Sequence, residues 1–155
     1  MSGVAALSHQ VIWTRRLVDL LGAAPDTFSK VIGAFFIGLA LGSWLAAARL
    51  RTASASWWHV GGVEILVGLL SLPALFSYGV VDWFLIRGGD GEFSRILVAM
   101  LLVVPPAAAM GMVLPFMIGV LARAGNARAT LWLYGWNTFG GVLGLALTLG
   151  ITLPA

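Results

Sequence analysis

The sequence predicts an all-α fold, a polytopic transmembrane helix bundle, and three observations lead there. Hydrophobic residues make up 60% of the chain and charged residues only 10%, with a mean hydropathy of +0.99, whereas soluble domains carry about a quarter charged residues. The 155 residues divide into apolar segments of the length that crosses about 30 Å of hydrocarbon, roughly 20 residues each. The basic residues collect in the breaks between those segments.

In chain order, the segment 2–21 is apolar at Val4, Leu7, Val11, Ile12 and Trp13 but carries His9, Gln10, Arg15, Arg16 and Asp19. It reads as a short span or an interfacial helix. Pro25-Asp26-Thr27 then reads as a turn and helix cap. The span 28–48 holds a single charge, Lys30, near its start. The span 58–78 contains Glu64, and 96–122 is expected to be broken by Pro105, Pro106 and Pro115. The last span, 130–152, contains Asn137. The expectation is therefore one integral membrane domain over 1–155, with four spans and a short or interfacial N-terminal helix.

Orientation follows from the loops, because short cytoplasmic loops are enriched in Lys and Arg. Arg49 and Arg51 follow the second segment, and Arg123 and Arg128 lie between the fourth and fifth, with no acidic residue in either loop. Both are expected to be cytoplasmic. The connection 79–95 mixes Asp82, Arg87, Asp90, Glu92 and Arg95 and is placed outside. No signal peptide is evident, and the expected location is the bacterial inner (cytoplasmic) membrane.

The charge balance excludes one class of partner. A net charge of +3 and a pI near 10.2 accompany a single Lys and no basic cluster interleaved with aromatics, so no nucleic acid is expected. Cysteine is absent, which removes disulfides, thiolate metal sites and a cysteine nucleophile. No metal site and no cofactor are expected. His59, beside Trp57 and Trp58, reads as part of an aromatic belt at a membrane interface.

The glycines fall at helix-packing spacings. Gly38 and Gly42, and again Gly140 and Gly144, form GxxxG pairs that let two helix backbones approach closely. Packing within the chain is the expectation, with a dimer interface as the alternative. In LYGWNTFGGVLG, residues 133–144, the helical repeat puts Tyr134, Asn137, Gly141 and Gly144 on one face with Gly140 beside them. That small, polar face is expected to pack against protein, with Asn137 tying its helix to a neighbour.

One constellation goes beyond packing. Counted inward at 1.5 Å per residue, Glu64 and Asn137 both lie about 10 Å from the cytoplasmic ends of their spans. The same level meets Gly42 and Ser43 in the second segment. In the fourth it meets Pro115, whose missing N–H leaves the Gly111 carbonyl without its helical donor. If the first segment crosses, the level also meets His9 and Gln10. The expectation is a candidate polar cluster of Glu64, Asn137, His9, Gln10 and Gly111, since intramembrane ionisable residues are functional-site candidates. A cationic amine or a proton is the ligand such a site would take.

Four stretches, in order, carry a family resemblance: SGVAALSHQVIWTRRL, GAFFIGLALGSWLAAARLR, PPAAAMGMVLPF and LYGWNTFGGVLG. Together they resemble the membrane domain of the membrane-bound spermidine-synthase-like proteins, which join a multi-span region to a soluble aminopropyltransferase-like domain. Here Met1 stands almost at the first stretch, and the chain stops at Ala155 where those proteins continue past the equivalent of ITLP. A glycine-rich nucleotide loop at a strand end and a set of amine-binding carboxylates are missing from the sequence. The resemblance implies the membrane part without the enzyme.

The functional expectation is therefore a non-catalytic membrane module or subunit that anchors or assembles partners. Those partners are the lipid bilayer and other membrane subunits or a separate soluble domain. The alternatives are a small-solute or polyamine/proton transporter fragment using the polar cluster, and the membrane part of a split aminopropyltransferase.

Overall fold

The computed structural model describes residues 11, 17, 25–75, 91–123, 125 and 127–152. Their regular secondary structure is all α-helix, with no strand among them. Four helices are described among them: α1 (Pro25–Thr52), α2 (Trp57–Leu75), α3 (Glu92–Arg123) and α4 (Ala127–Thr152). Val11 and Leu17 are also helical, and Leu17 is buried. Whether the segment 2–21 crosses a membrane lies outside the described residues.

The helix ends follow local chemistry and correct three expected bounds. Pro25-Asp26-Thr27 is the first turn of α1 rather than a turn before it, as suits proline, whose fixed φ and missing N–H fit the first helical position. Helix α3 starts at Glu92, inside the connection expected to be loop, because the last helix breaker before it is Gly91. Nor is α3 broken at its prolines: one helix runs through Pro105, Pro106 and Pro115. Each proline removes a single N–H and frees one carbonyl, which a continuous helix tolerates when packing supports it.

Both tight connections are built by specific groups. Ser56 caps α2, its Oγ accepting from the Trp58 N–H at 3.2 Å. After α3, Gly125 takes φ +69° and donates its N–H to the Ala122 carbonyl at 3.1 Å. This left-handed conformation favours glycine and turns the chain into α4.

Helix α3 is the hub, packing against α1, α2 and, less extensively, α4. Two buried clusters line it. One joins Leu17, Val31, Ala34 and Phe35 to Ala99, Val103 and Ala107. The other joins Ala46, Ala55 and Val60 to Val113 and Phe116. Residue numbers rise together along α1 and α3 through these contacts, so the two helices run parallel.

Two of the helices are long and apolar enough to cross a membrane, over Thr27–Thr52 and Ile96–Arg123. Among the described residues, crossing by the other two expected spans is not supported. The described apolar part of α2 is Trp57–Leu72, and the helix itself continues to Leu75. In α4, Trp132, Tyr134, Trp136, Asn137 and Thr138 crowd the first half and dilute its aliphatic content.

Candidate functional site

The most closely fitted region is the crossing of α1 and α3. Small residues recur along α1 at Ala34, Gly38, Gly42 and Ala46, and all four are buried. The facing stretch of α3 is Ala107-Ala108-Ala109-Met110-Gly111. The backbones meet here without intervening side chains. A methyl group built on Gly38 would stand 2.5 Å from the Ala107 Cβ and 2.8 Å from the Val104 carbonyl oxygen. At Gly42 it would collide with the Ala108 carbonyl, and at Gly111 with the Leu39 backbone. Glycine is required at these positions by close approach, the role small residues play where helices cross in hydrocarbon.

A hydrogen bond is set into this contact. Ser43 Oγ donates to the Gly111 carbonyl oxygen at 3.0 Å. That carbonyl is the one whose helical donor would have come from residue 115, which is proline. The bond therefore satisfies a group that the sequence of α3 leaves unpaired. Interhelical hydrogen bonds of this kind contribute about 0.6 to 2 kcal/mol in membrane proteins.

The other members of the expected polar cluster are distributed differently. Glu64 is exposed on α2, and Asn137 is half-buried on α4. These two helices each pack on α3 and share no extensive contact with each other. His9 and Gln10 lie outside the described residues. Of the residues expected at the common level, the structure joins Ser43 to Gly111 and surrounds that pair with Gly42 and Leu39. Among the described residues, no group of three His, Cys, Asp or Glu stands where it could hold a metal ion.

On α4, Gly140, Gly141 and Gly144 are buried while Tyr134, at the start of the same face, is exposed. Thr148 Oγ donates to the Gly144 carbonyl at 2.7 Å and Thr138 Oγ to the Tyr134 carbonyl at 3.0 Å. Both hydroxyls are thus satisfied within their own helix. Trp136 and Phe139 meet edge to face, with centroids 6.0 Å apart.

His59 is fixed more firmly than an interfacial belt requires. Its ring lies 5.8 Å from that of Phe116, tilted by 31°. Nδ1 is buried and has no hydrogen-bond partner among the described residues.

Comparison of the chain with protein families, curated proteins and solved structures gives no match in any of the three. The geometry of the molecule itself therefore carries the functional reading.

Sequence reasoning missed the identity of the helix that receives Gly38 and Gly42. A signal was present: Ala107 and Gly111 are themselves a small-xxx-small pair, the complement of GxxxG. The contact of His59 with Phe116 had no comparable signal.

Proposed function

We propose that the chain is a non-catalytic integral membrane module that anchors or assembles partner proteins, similar to the membrane domain of the spermidine-synthase-like proteins. The observation that carries this reading is the distribution of side-chain size. The buried set is mostly alanine and valine, with Phe35 and Phe116 the aromatic exceptions, and the largest side chains sealed from the surface are Val31, Val103 and Pro106. Large apolar side chains point outward instead: Trp44 is 66% exposed, Ile65 67%, Trp132 64% and Phe139 58%.

In water this arrangement forgoes about 1.5 to 3 kcal/mol for each large side chain left outside. Surrounded by lipid tails or by apolar partner helices, it forgoes nothing, and close backbone packing becomes the main source of helix association. The two long apolar helices, α1 and α3, are the pair joined by glycine contact. The basic turns after α1 and α3 favour a cytoplasmic position for that end, and the expected location is the bacterial inner membrane.

The test is fractionation followed by gentle purification. Tagged chain should stay in the membrane through an alkaline wash. In mild detergent it should elute with other membrane proteins in a fixed ratio, at a size above its own 16.3 kDa. It should transfer no aminopropyl group to an amine acceptor. Release by the alkaline wash, or a lone monomer that turns over an aminopropyl donor, overturns the reading.

A further inference from the structure

We propose that the end of the bundle formed by the α1–α2 and α3–α4 turns is a binding surface for anionic phospholipid headgroups. The inference rests on the membrane reading above and adds the class of lipid and the residues that select it.

The surface is assembled from two stretches far apart in sequence. Arg49 and Arg51 lie in the last turn of α1, and Arg123 ends α3. Arg128 lies in the first turn of α4. Parallel packing of α1 and α3 brings them to one end. Leu50 and Ala55 lie against Gly119, where an added methyl would meet their side chains at 2.9 and 3.1 Å. His59 lies against Phe116, one turn further along α2. The turn 53–56 therefore sits beside the last turns of α3, and the α3–α4 turn follows only a few residues later.

All four arginines are exposed. No ion pair engages them among the described residues, and the described carboxylates lie elsewhere. Asp26 and Glu92 occupy the first turns of α1 and α3, at the opposite end. Glu64 lies seven residues into α2, about 10 Å away along the axis. Four exposed guanidinium groups at one end of the bundle, with no ion pair among the described residues, suit anionic ligands, and their planar donor forks match phosphate oxygens.

Trp57 and Trp58 decide between a dissolved anion and a lipid. They stand at the same end, 56% and 89% exposed. An indole ring left in water beside cations has no role in holding a free phosphate. At headgroup level, tryptophan is in the environment it prefers, with its apolar body toward the acyl chains and its N–H toward water. Juxtamembrane arginines gain additional attraction from an anionic leaflet.

The experiment uses the full chain in nanodiscs of phosphatidylcholine and phosphatidylglycerol at a known ratio, followed by detergent extraction and quantification of lipid retained on the protein. Phosphatidylglycerol should be enriched over the supplied ratio by about two-fold or more. The enrichment should vanish in the combined variant Arg49→Gln, Arg51→Gln, Arg123→Gln and Arg128→Gln, and should be reduced but not abolished in the set of Arg→Lys replacements, which keep the charge and lose the planar fork. Lys30→Gln, at the other end, should leave it unchanged. Inorganic phosphate at millimolar concentration should not displace the lipid; displacement would assign the surface to free phosphate and overturn the proposal. Retention at the supplied ratio by a chain that resists the alkaline wash would also overturn it, with the membrane reading intact. A chain that never enters the nanodisc would fail both readings together.

Discussion

Ser43 on α1 and Gly111 on α3 are joined by a 3.0 Å hydrogen bond across 68 positions of sequence, and Pro115 is the reason the acceptor is free. The bond turns a local defect of α3 into a fixed point of its contact with α1. Helix α3 carries Pro115, eight residues before its end, with the missing donor supplied by its neighbour.

This relationship sets up a double-mutant cycle. Ser43→Ala should cost about 1 kcal/mol, within the range measured for interhelical hydrogen bonds. Pro115→Ala restores a backbone N–H four residues after Gly111, so in that background the cost of Ser43→Ala should shrink by more than half. Unfolding by SDS in mixed micelles provides the four stabilities. Equal costs in both backgrounds would show that the hydroxyl and the proline act independently.

Glycine substitutions should divide by location. Gly42→Ala drives a methyl into the Ala108 carbonyl and should destabilise by about 1 to 3 kcal/mol, the usual range for overpacking. Gly68→Ala meets open space and should be neutral or stabilising by up to about 1 kcal/mol through helix propensity. The same unfolding assay compares them, and equal effects would argue against backbone contact at Gly42.

His59 offers a substitution in the stabilising direction. Its buried Nδ1 has no partner among the described residues, and an unpaired buried polar atom costs about 1 to 3 kcal/mol. His59→Phe keeps a ring against Phe116 and removes that atom, so it should raise the midpoint of unfolding. His59→Ala loses the ring contact and should lower it. A loss of stability in His59→Phe equal to that in His59→Ala would reveal a partner for the imidazole.

Glu64 and Asn137 should behave as independent sites. They lie on helices that share no extensive contact, so the effects of Glu64→Gln and Asn137→Leu should add within about 0.5 kcal/mol. Coupling well above that would restore them to one polar cluster. It would also favour the transporter alternative, which uses both at one site.

Parallel packing of α1 and α3 fixes the relation of the two basic turns. Single cysteines at Ser54 and Ala122, both exposed, should react with an impermeant thiol reagent from the same side of the membrane. A cysteine at Gly89 should react from the other. The native chain has no cysteine, so there is no background labelling, and reaction at Ser54 and Ala122 from opposite sides would contradict the packing.

The sequence by itself determined what depends on neighbours along the chain. Apolar runs between breakers located the four helices to within a few residues, and the spacing of Gly38 and Gly42 marked a face built for close contact. Pro115 identified the Gly111 carbonyl as one that would need an outside donor. Tertiary structure alone decided which surfaces meet. That α3 fills the Gly38 and Gly42 face, that Ser43 supplies the donor, and that Glu64 is left outward all follow from the fit of helices distant in sequence. The physical reason is that a helix's own pattern fixes which side chains share a face, whereas the partner of that face is chosen by complementarity of shape and hydrogen bonding with another helix. For the same reason the arginines of two separate turns could be read singly from the sequence, but their meeting at one end with Trp57 and Trp58 required the parallel packing of α1 and α3.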